Sequence, residues 1–146
     1  LALTDIIDAG FDGRPPAGLA ARIHQFTGGH PQRSMQLADS AWTIWNDGIE
    51  PAAVWSQALQ QCRRSTADSH ETRFSGLQTA DQAVMRLAAS NGVLFGRHAA
   101  LLSLSRSSAQ NARSRLLERG QIVESDHGVA VVDPLYADWI NNRFPI

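Results

Sequence analysis

Arg33 stands close to the expected start of a helix, where a positive side chain is unfavourable unless an anion lies beside it. His30-Pro31 predicts that start, because proline is favoured at the first helical position. The unpaired N–H groups and the dipole make this end positive, so a cation there costs about 0.3–1 kcal/mol. A phosphate would offset that cost. Arg33 is therefore a candidate anion-binding residue, the alternatives being a solvated arginine or one paired with an acid. His30 fits the N-cap better than a ligand position.

The segment after Ser105 predicts a polar surface suited to DNA. At about 100° per residue, a helix from Ser105 to Arg119 turns Ala109, Ala112, Leu116 and Leu117 inward. The outward residues and those flanking them are Ser107, Ser108, Gln110, Asn111, Ser114, Arg115 and Glu118. Amide side chains pair with adenine edges, arginine with guanine or phosphate, and serine with phosphate. Glu118 opposes DNA, so contact with a protein is the alternative function of this face.

The charge of the chain is nearly balanced overall but unevenly distributed. All 13 basic residues are arginine, and 14 acidic residues bring the net charge to −1. Residues 1–74 carry six arginines and eight acidic residues, a net charge of −2, whereas residues 75–146 have a net charge of +1. Between residues 105 and 120, four arginines and one acid give a local charge of +3. This local excess indicates a nucleic-acid footprint, while the whole-chain charge disfavours an indiscriminate basic binder.

The residue content excludes several classes of function for the chain alone. A phosphate-binding loop of the G-x-x-x-x-G-K-[ST] type needs a lysine, and the sequence has none. The histidines have no i, i+4 pair and no cysteine neighbour, so no metal site is expected. Cys62, the single cysteine, is expected in the core of a cytoplasmic protein. No catalytic residues are apparent, so we do not expect an enzyme without further domains. No apolar run is long enough to span a membrane.

The first half of the sequence predicts a bundle of four helices. Their expected ranges are Thr4–Asp12, Ala17–Phe26, Pro31 to about Asp47, and Pro51–Arg63, each with apolar residues three and four apart. Polar residues dominate from Arg64 to Gly76, which predicts a loop. We therefore expect a helical domain at residues 1–65 and a linker at residues 66–76.

Residues 77–146 predict a second domain with a different element order. The expected elements are a helix capped by the box Thr79–Gln82, an extended segment at Val93–Phe95, helices at His98–Leu102 and Ser105–Arg119, a hairpin of Gln121–Glu124 and Val129–Val132, and a helix after Asp133. This is the order of a winged helix, so the predicted fold class is mainly α with a small β-hairpin. His127, in the hairpin turn, would touch the minor groove or the DNA backbone unless the turn is simply solvated.

One resemblance concerns the second domain. The sequence SRSSAQNARSRLLERGQIV, residues 105–123, closely resembles the recognition helix and first wing strand of bacterial winged-helix regulators, the MarR-like group among them. This resemblance implies a helix-turn-helix that holds double-stranded DNA. A freestanding regulator of this kind would need a dimer interface to match paired half-sites.

A second resemblance concerns the first domain. The sequence TGGHPQRSMQLADSAW, residues 27–42, resembles the sensor-2 helix in the lid of AAA-type ATPases. VVDPLYADWI, residues 131–140, resembles the closing segment of bacterial and archaeal ATPases that carry a winged helix after the lid, as origin-recognition ATPases do.

The resemblance to AAA-type ATPases implies a role in nucleotide sensing for Arg33, with His30 beside it. Arg33 would contact the γ-phosphate of ATP, which a preceding ATPase domain of the same protein would bind together with Mg²⁺. The chain begins at Leu1 and not at Met, so we expect it to be part of a longer protein. Its winged helix would hold DNA or, alternatively, dock a partner protein or pack on the ATPase domain.

Overall fold

The computed structural model describes residues 3–11, 16–46 and 48–146. These residues are mainly helical, with one antiparallel sheet of two strands. The chain divides into two compact units, Leu1–Thr66 and Ala67–Ile146. Among the described residues, no helix combines the length and the apolar character that crossing a bilayer requires.

The first unit contains the four predicted helices, with shifted ends. They are α1 (Leu3–Ala9), α2 (Leu19–Thr27), α3 (Pro31–Ile44) and the start of α4 (Pro51–Ser75). Thr4, the expected first residue of α1, lies inside that helix, and the expected end at Asp12 lies outside the described residues. Gly28, at a φ of 61°, ends α2, as its freedom to adopt this backbone conformation predicts. The buried side chains of this unit include Leu19, Ile23, Leu37, Ala38, Ala41 and Val54.

The predicted loop at residues 64–76 is wrong, because α4 continues to Ser75. Two residues of its last turns, His70 and Phe74, are buried in the second unit. The His70 ring stacks on Tyr136 with 5.1 Å between ring centroids, and the Phe74 ring stacks on Phe144 at 4.8 Å. The packing of His70 and Phe74 therefore stabilises a helix in a segment whose sequence is mostly polar. The composition of the segment does not reveal this packing.

The second unit continues with α5 (Thr79–Ser90), α6 (Arg97–Leu101), α7 (Arg106–Glu118), β1 (Ile122–Ser125), β2 (Gly128–Val131) and α8 (Pro134–Arg143). In the hairpin, Ile122 pairs with Val131 and Ser125 pairs with Gly128. The expected caps are confirmed for two helices: Ser105 Oγ accepts the Ser108 N–H at 3.2 Å, and Asp133 Oδ1 accepts the Leu135 N–H at 3.0 Å.

Two local predictions for the second unit are wrong. Gln78 stands at the N-cap of α5 without a side-chain bond, so Thr79–Gln82 does not form a capping box. The Gln82 amide instead donates to the Phe74 carbonyl oxygen at 3.1 Å. Residues 93–95 form no strand. One backbone bond, from the Val129 N–H to the Gly92 carbonyl oxygen at 3.1 Å, joins the start of β2 to the segment after α5.

Tyr136 lies at the centre of the second unit and is fully buried. Its hydroxyl has no hydrogen-bond partner among the described residues. Arg73 lies over the Tyr136 ring, 4.3 Å from the centroid, and its Nε donates to Gln121 Oε1 at 2.9 Å. Burial of the hydroxyl raises the pKa of Tyr136 to about 12, so the ring stays neutral at physiological pH.

Candidate functional site

A short turn after α6 positions α7. The chain turns sharply between α6 and α7, where Ser103 adopts a φ of 55°. The Leu104 N–H then donates to the Ala99 carbonyl oxygen at 3.0 Å, and the Leu104 side chain packs against the core. Ser105 caps the next helix. The left-handed residue in this short turn lets α7 leave α6 in a new direction while Leu104 stays packed on the core.

The two faces of α7 lie as its sequence predicts. Ala109, Ala112 and Leu116 are fully buried, and Leu117 is partly buried against the same core. The opposite side presents Ser107, Gln110, Asn111, Ser114 and Glu118, all exposed, whereas Ser108 is half-buried. The Ser114 hydroxyl donates to the Gln110 carbonyl oxygen at 3.1 Å, so only its acceptor sites face outward. The Gln110 and Asn111 side chains are the amide groups of this surface.

Arg115 differs from the other predicted DNA contacts, because its guanidinium is bound to a carboxylate of the same unit. Its Nε lies 3.2 Å from Asp81 Oδ1, and Nη2 donates to the same oxygen. Asp81, in the first turn of α5, is only 1% exposed. The hydrogen bond to Asp81 raises the pKa of Arg115. The pair holds α7 against α5, so Arg115 positions the outward face of α7.

Sequence analysis missed Asp81, although its spacing carried a usable indication. Asp81 precedes Val84, Met85 and Ala88 at helical spacing, so it lies on the buried face of α5. A carboxylate on an apolar face requires a cationic or hydrogen-bonding partner. The sequence could therefore indicate that Asp81 is paired, but several arginines were available as its partner.

Other arginines of α7 also have partners nearby. Arg113 Nη2 lies 2.7 Å from Glu124 Oε1, a pair that joins α7 to β1. Arg106 lies over the Phe95 ring, 5.2 Å from its centroid. No aspartate or glutamate occurs from Gln82 to Leu117, a stretch that holds five arginines. Asp81 and Glu118 bound this stretch, and Arg113 and Arg115 are paired with carboxylates, so the exposed Arg97 and Arg106 give the surface around α6 and the start of α7 its basic character.

The hairpin turn places His127 in solvent. Asp126 and His127 join β1 to β2, and both side chains are exposed. Gly128 follows with a φ of 141°. Both expected roles of His127, contact with DNA and simple solvation, are compatible with this position.

His30 and Arg33 lie together at the start of α3. His30 Nδ1 accepts the Arg33 backbone N–H at 3.2 Å, which confirms His30 as the N-cap. The half-buried Arg33 side chain donates from Nη1 to Gln36 Oε1 at 2.6 Å. The N-cap bond occupies one ring nitrogen of His30, so the imidazole has one nitrogen left for any further contact.

The described residues offer no cluster of three or more histidine, cysteine, aspartate or glutamate side chains for a metal ion. Cys62 is buried, as expected for a core residue, and burial raises the pKa of its thiol. A buried thiol with a raised pKa is a poor nucleophile.

Comparisons with known proteins identify no relative. No family model matches the chain, and neither the curated proteins nor the solved structures include a match.

Proposed function

We propose that the second unit is a winged-helix domain that binds double-stranded DNA through α7. The order of its elements, α5 to α7 followed by the β1–β2 hairpin, supports this proposal. The resemblance of residues 105–123 to winged-helix regulators supports it independently. In such domains the second helix of the helix-turn-helix enters the major groove, and the hairpin lies beside it.

The observation that carries the proposal is the exposed polar face of α7 on a helix that is fixed from both sides. Arg115 pairs with Asp81 on α5, and Arg113 pairs with Glu124 on β1. A helix held in this way can present Gln110 and Asn111 to base edges without a large loss of entropy on binding. The first serines of α7 can contact phosphates.

The charge balance predicts moderate affinity that depends on a few phosphate contacts. The absence of acidic residues from Gln82 to Leu117 favours an approach by DNA. Glu118, exposed at the C-terminal end of α7, disfavours contact with DNA at the last residues of the helix. We therefore expect specificity to come mainly from the amide side chains.

Binding to duplex DNA tests this proposal. The chain should select a preferred sequence from a random duplex library, and its affinity should fall roughly tenfold or more between about 50 and 200 mM salt. Asn111→Ala should weaken binding to the selected sequence about fivefold to fiftyfold and leave binding to random DNA nearly unchanged. Gln57→Ala, at an exposed position of α4, is the control and should change neither. Undetectable binding, or binding insensitive to salt, would contradict the proposal.

For the first unit, we propose the role of an AAA-type lid whose Arg33 responds to bound ATP. The resemblance of residues 27–42 to a sensor-2 helix supports this role, and so does the position of Arg33 at the third residue of α3. This chain offers one candidate phosphate contact and no phosphate-binding loop, so ATP and Mg²⁺ would be held by a domain outside it. Contact with the phosphate would require the Arg33 guanidinium to turn away from Gln36.

The lid proposal is tested in a protein in which the proposed ATPase domain precedes this chain. There, Arg33→Ala should lower the rate of ATP hydrolysis at least tenfold, because one charged contact to a phosphate is lost. Arg22→Ala, at an exposed position of α2, is the matched control and should leave the rate unchanged. A normal rate and normal ATP affinity in the Arg33 variant would remove the sensor role.

A second function, protein recognition, is favoured by exposed apolar side chains in the second unit. Leu101 is 70% exposed and Phe95 is 48% exposed. Neither belongs to the polar face of α7.

A further inference from the structure

A shallow depression with both apolar and polar lining lies beside the start of α7. It measures about 230 Å³ and is lined by Leu94, Phe95, Gly96, Ala99, Ala100, Leu104 and Arg106. Leu94 and Ala99 belong to the buried core, so the floor of the depression is fixed by packing. The rim is accessible, because Phe95 and Ala100 are exposed. We call this feature the α6 groove.

Large apolar side chains near the α6 groove are exposed to an unusual extent. Phe95 lines the groove and is 48% exposed, and Val93 and Leu101, which lie near it in sequence, are 39% and 70% exposed. Single exposed apolar residues are common on protein surfaces, whereas a group of them around a depression marks an interaction site. The groove therefore has the hydrophobic part of a binding site.

The groove also has a basic rim. Arg106 lies over the Phe95 ring, and Arg97 is exposed at the edge of a second depression, of about 180 Å³, that shares Gly96 with the first. The acid-free stretch from Gln82 to Leu117 includes every residue that lines either depression. A ligand that complements this surface carries negative charge next to a large apolar group.

We propose that the α6 groove binds an acidic peptide segment with an aromatic or large aliphatic anchor. The anchor side chain enters the depression against Phe95 and Ala100, and its neighbouring carboxylates pair with Arg106 and Arg97. Aromatic anchors in a pocket surrounded by charged contacts are the usual arrangement in peptide recognition. DNA would satisfy the arginines but offers no apolar anchor for the depression.

This proposal goes beyond DNA binding and uses different residues. The proposed DNA contacts lie on the outward face of α7, at residues 107, 110, 111 and 114, whereas the groove lies between residues 94–96, α6 and the start of α7. Asn111→Ala should therefore weaken DNA binding and leave peptide binding unchanged. If the chain binds DNA but not the peptide, or the peptide but not DNA, only one of the two proposals fails.

The probe is a short fluorescein-labelled peptide in which aspartates and glutamates surround one phenylalanine, measured with the 146-residue chain by fluorescence anisotropy. We expect a dissociation constant on the order of 10–100 µM. A peptide with serine in place of the phenylalanine should bind at least about tenfold more weakly, because the buried anchor is lost. A peptide with amides in place of the carboxylates should also bind more weakly, and the difference should shrink in high salt.

Ala100→Glu is the decisive variant, because it places a carboxylate on the exposed rim of the groove without removing a core side chain. It should weaken binding of the acidic peptide at least about fivefold by repulsion of like charges. Ala21→Glu, at an exposed position of α2, adds the same charge elsewhere and should leave the affinity unchanged. Phe95→Ser should also weaken binding of the acidic peptide. An unchanged α-helical signal in circular dichroism would confirm that this variant is folded.

Several outcomes would overturn the proposal. Equal affinity for the phenylalanine and serine peptides would show that the peptide binds only by general attraction between charges. Absence of binding at about 1 mM peptide would contradict the proposal altogether. If Ala100→Glu weakens DNA binding while no peptide binds, the groove is part of a nucleic-acid surface. If the chain self-associates and Ala100→Glu dissociates it, the occupant is a second copy of the chain.

Discussion

Arg115→Ala is expected to lower the midpoint of thermal unfolding by roughly 10 °C. Asp81 is 1% exposed, and the guanidinium of Arg115 is its charged partner. Removing that guanidinium leaves a buried carboxylate without compensation, which is among the more costly single changes a protein core undergoes. Thermal unfolding followed by circular dichroism measures the effect, and hydrogen exchange of the α7 amides locates it.

The reciprocal change should cost much less. The side chain of Arg115 is 33% exposed, so in Asp81→Ala it can turn toward water, and no charge remains buried. The double variant should therefore be more stable than Arg115→Ala alone. Equal losses for the two single variants, or a double variant less stable than either, would show that burial of the Asp81 carboxylate does not dominate this interaction.

The same pair separates positioning from DNA contact. If Arg115 binds a phosphate, its replacement should reduce the slope of log affinity against log salt by about one. If it only holds α7 against α5, the slope should stay the same and the affinity should fall because the helix is less well held. Arg115→Lys completes the test, because lysine keeps the positive charge but cannot donate two hydrogen bonds from a planar guanidinium.

Local chemistry explains which parts of the fold could be predicted. The caps at Ser105 and Asp133 and the stop at Gly28 each depend on one side chain or one backbone conformation. The inward face of α7 follows from the helical period alone, and the structure confirms it for Ala109, Ala112 and Leu116. Caps, helix ends and buried helix faces can be predicted because each depends on residues that are only a few positions apart in the sequence.

The errors arose where distant residues decide the structure. The last turns of α4 are stabilised by contacts of His70 and Phe74 with α8, some sixty residues later in the chain. The pairing of Arg115 with Asp81 cannot be predicted from periodicity, because Asp81 lies 34 residues earlier in the chain. The residues that line the α6 groove are close in sequence, between positions 94 and 106, but which of their side chains stay exposed depends on how α6 packs against the core.

Gly92→Ala should destabilise the chain by about 3 kcal/mol or more, because two separate penalties combine. Gly92 has a φ of +79°, which a residue with a Cβ adopts only with strain. A Cβ at this position would also overlap the Val129 carbonyl oxygen, and that oxygen belongs to the backbone of β2 and cannot rotate away. The loop would have to withdraw from β2, which breaks the bond between the Val129 N–H and the Gly92 carbonyl oxygen.

Gly120 provides the matched control, because it has nearly the same backbone conformation, with a φ of +70°, and nothing within 4 Å of its Cβ position. Gly120→Ala should therefore carry only the backbone strain, on the order of 1 kcal/mol. Urea unfolding of both variants measures the difference. If the two glycines tolerate alanine equally, the close approach of residue 92 to β2 does not stabilise the unit. If Gly92→Ala is much the worse, contact with the segment after α5 holds the β1–β2 hairpin, and the hairpin then keeps Glu124 in reach of Arg113 on α7.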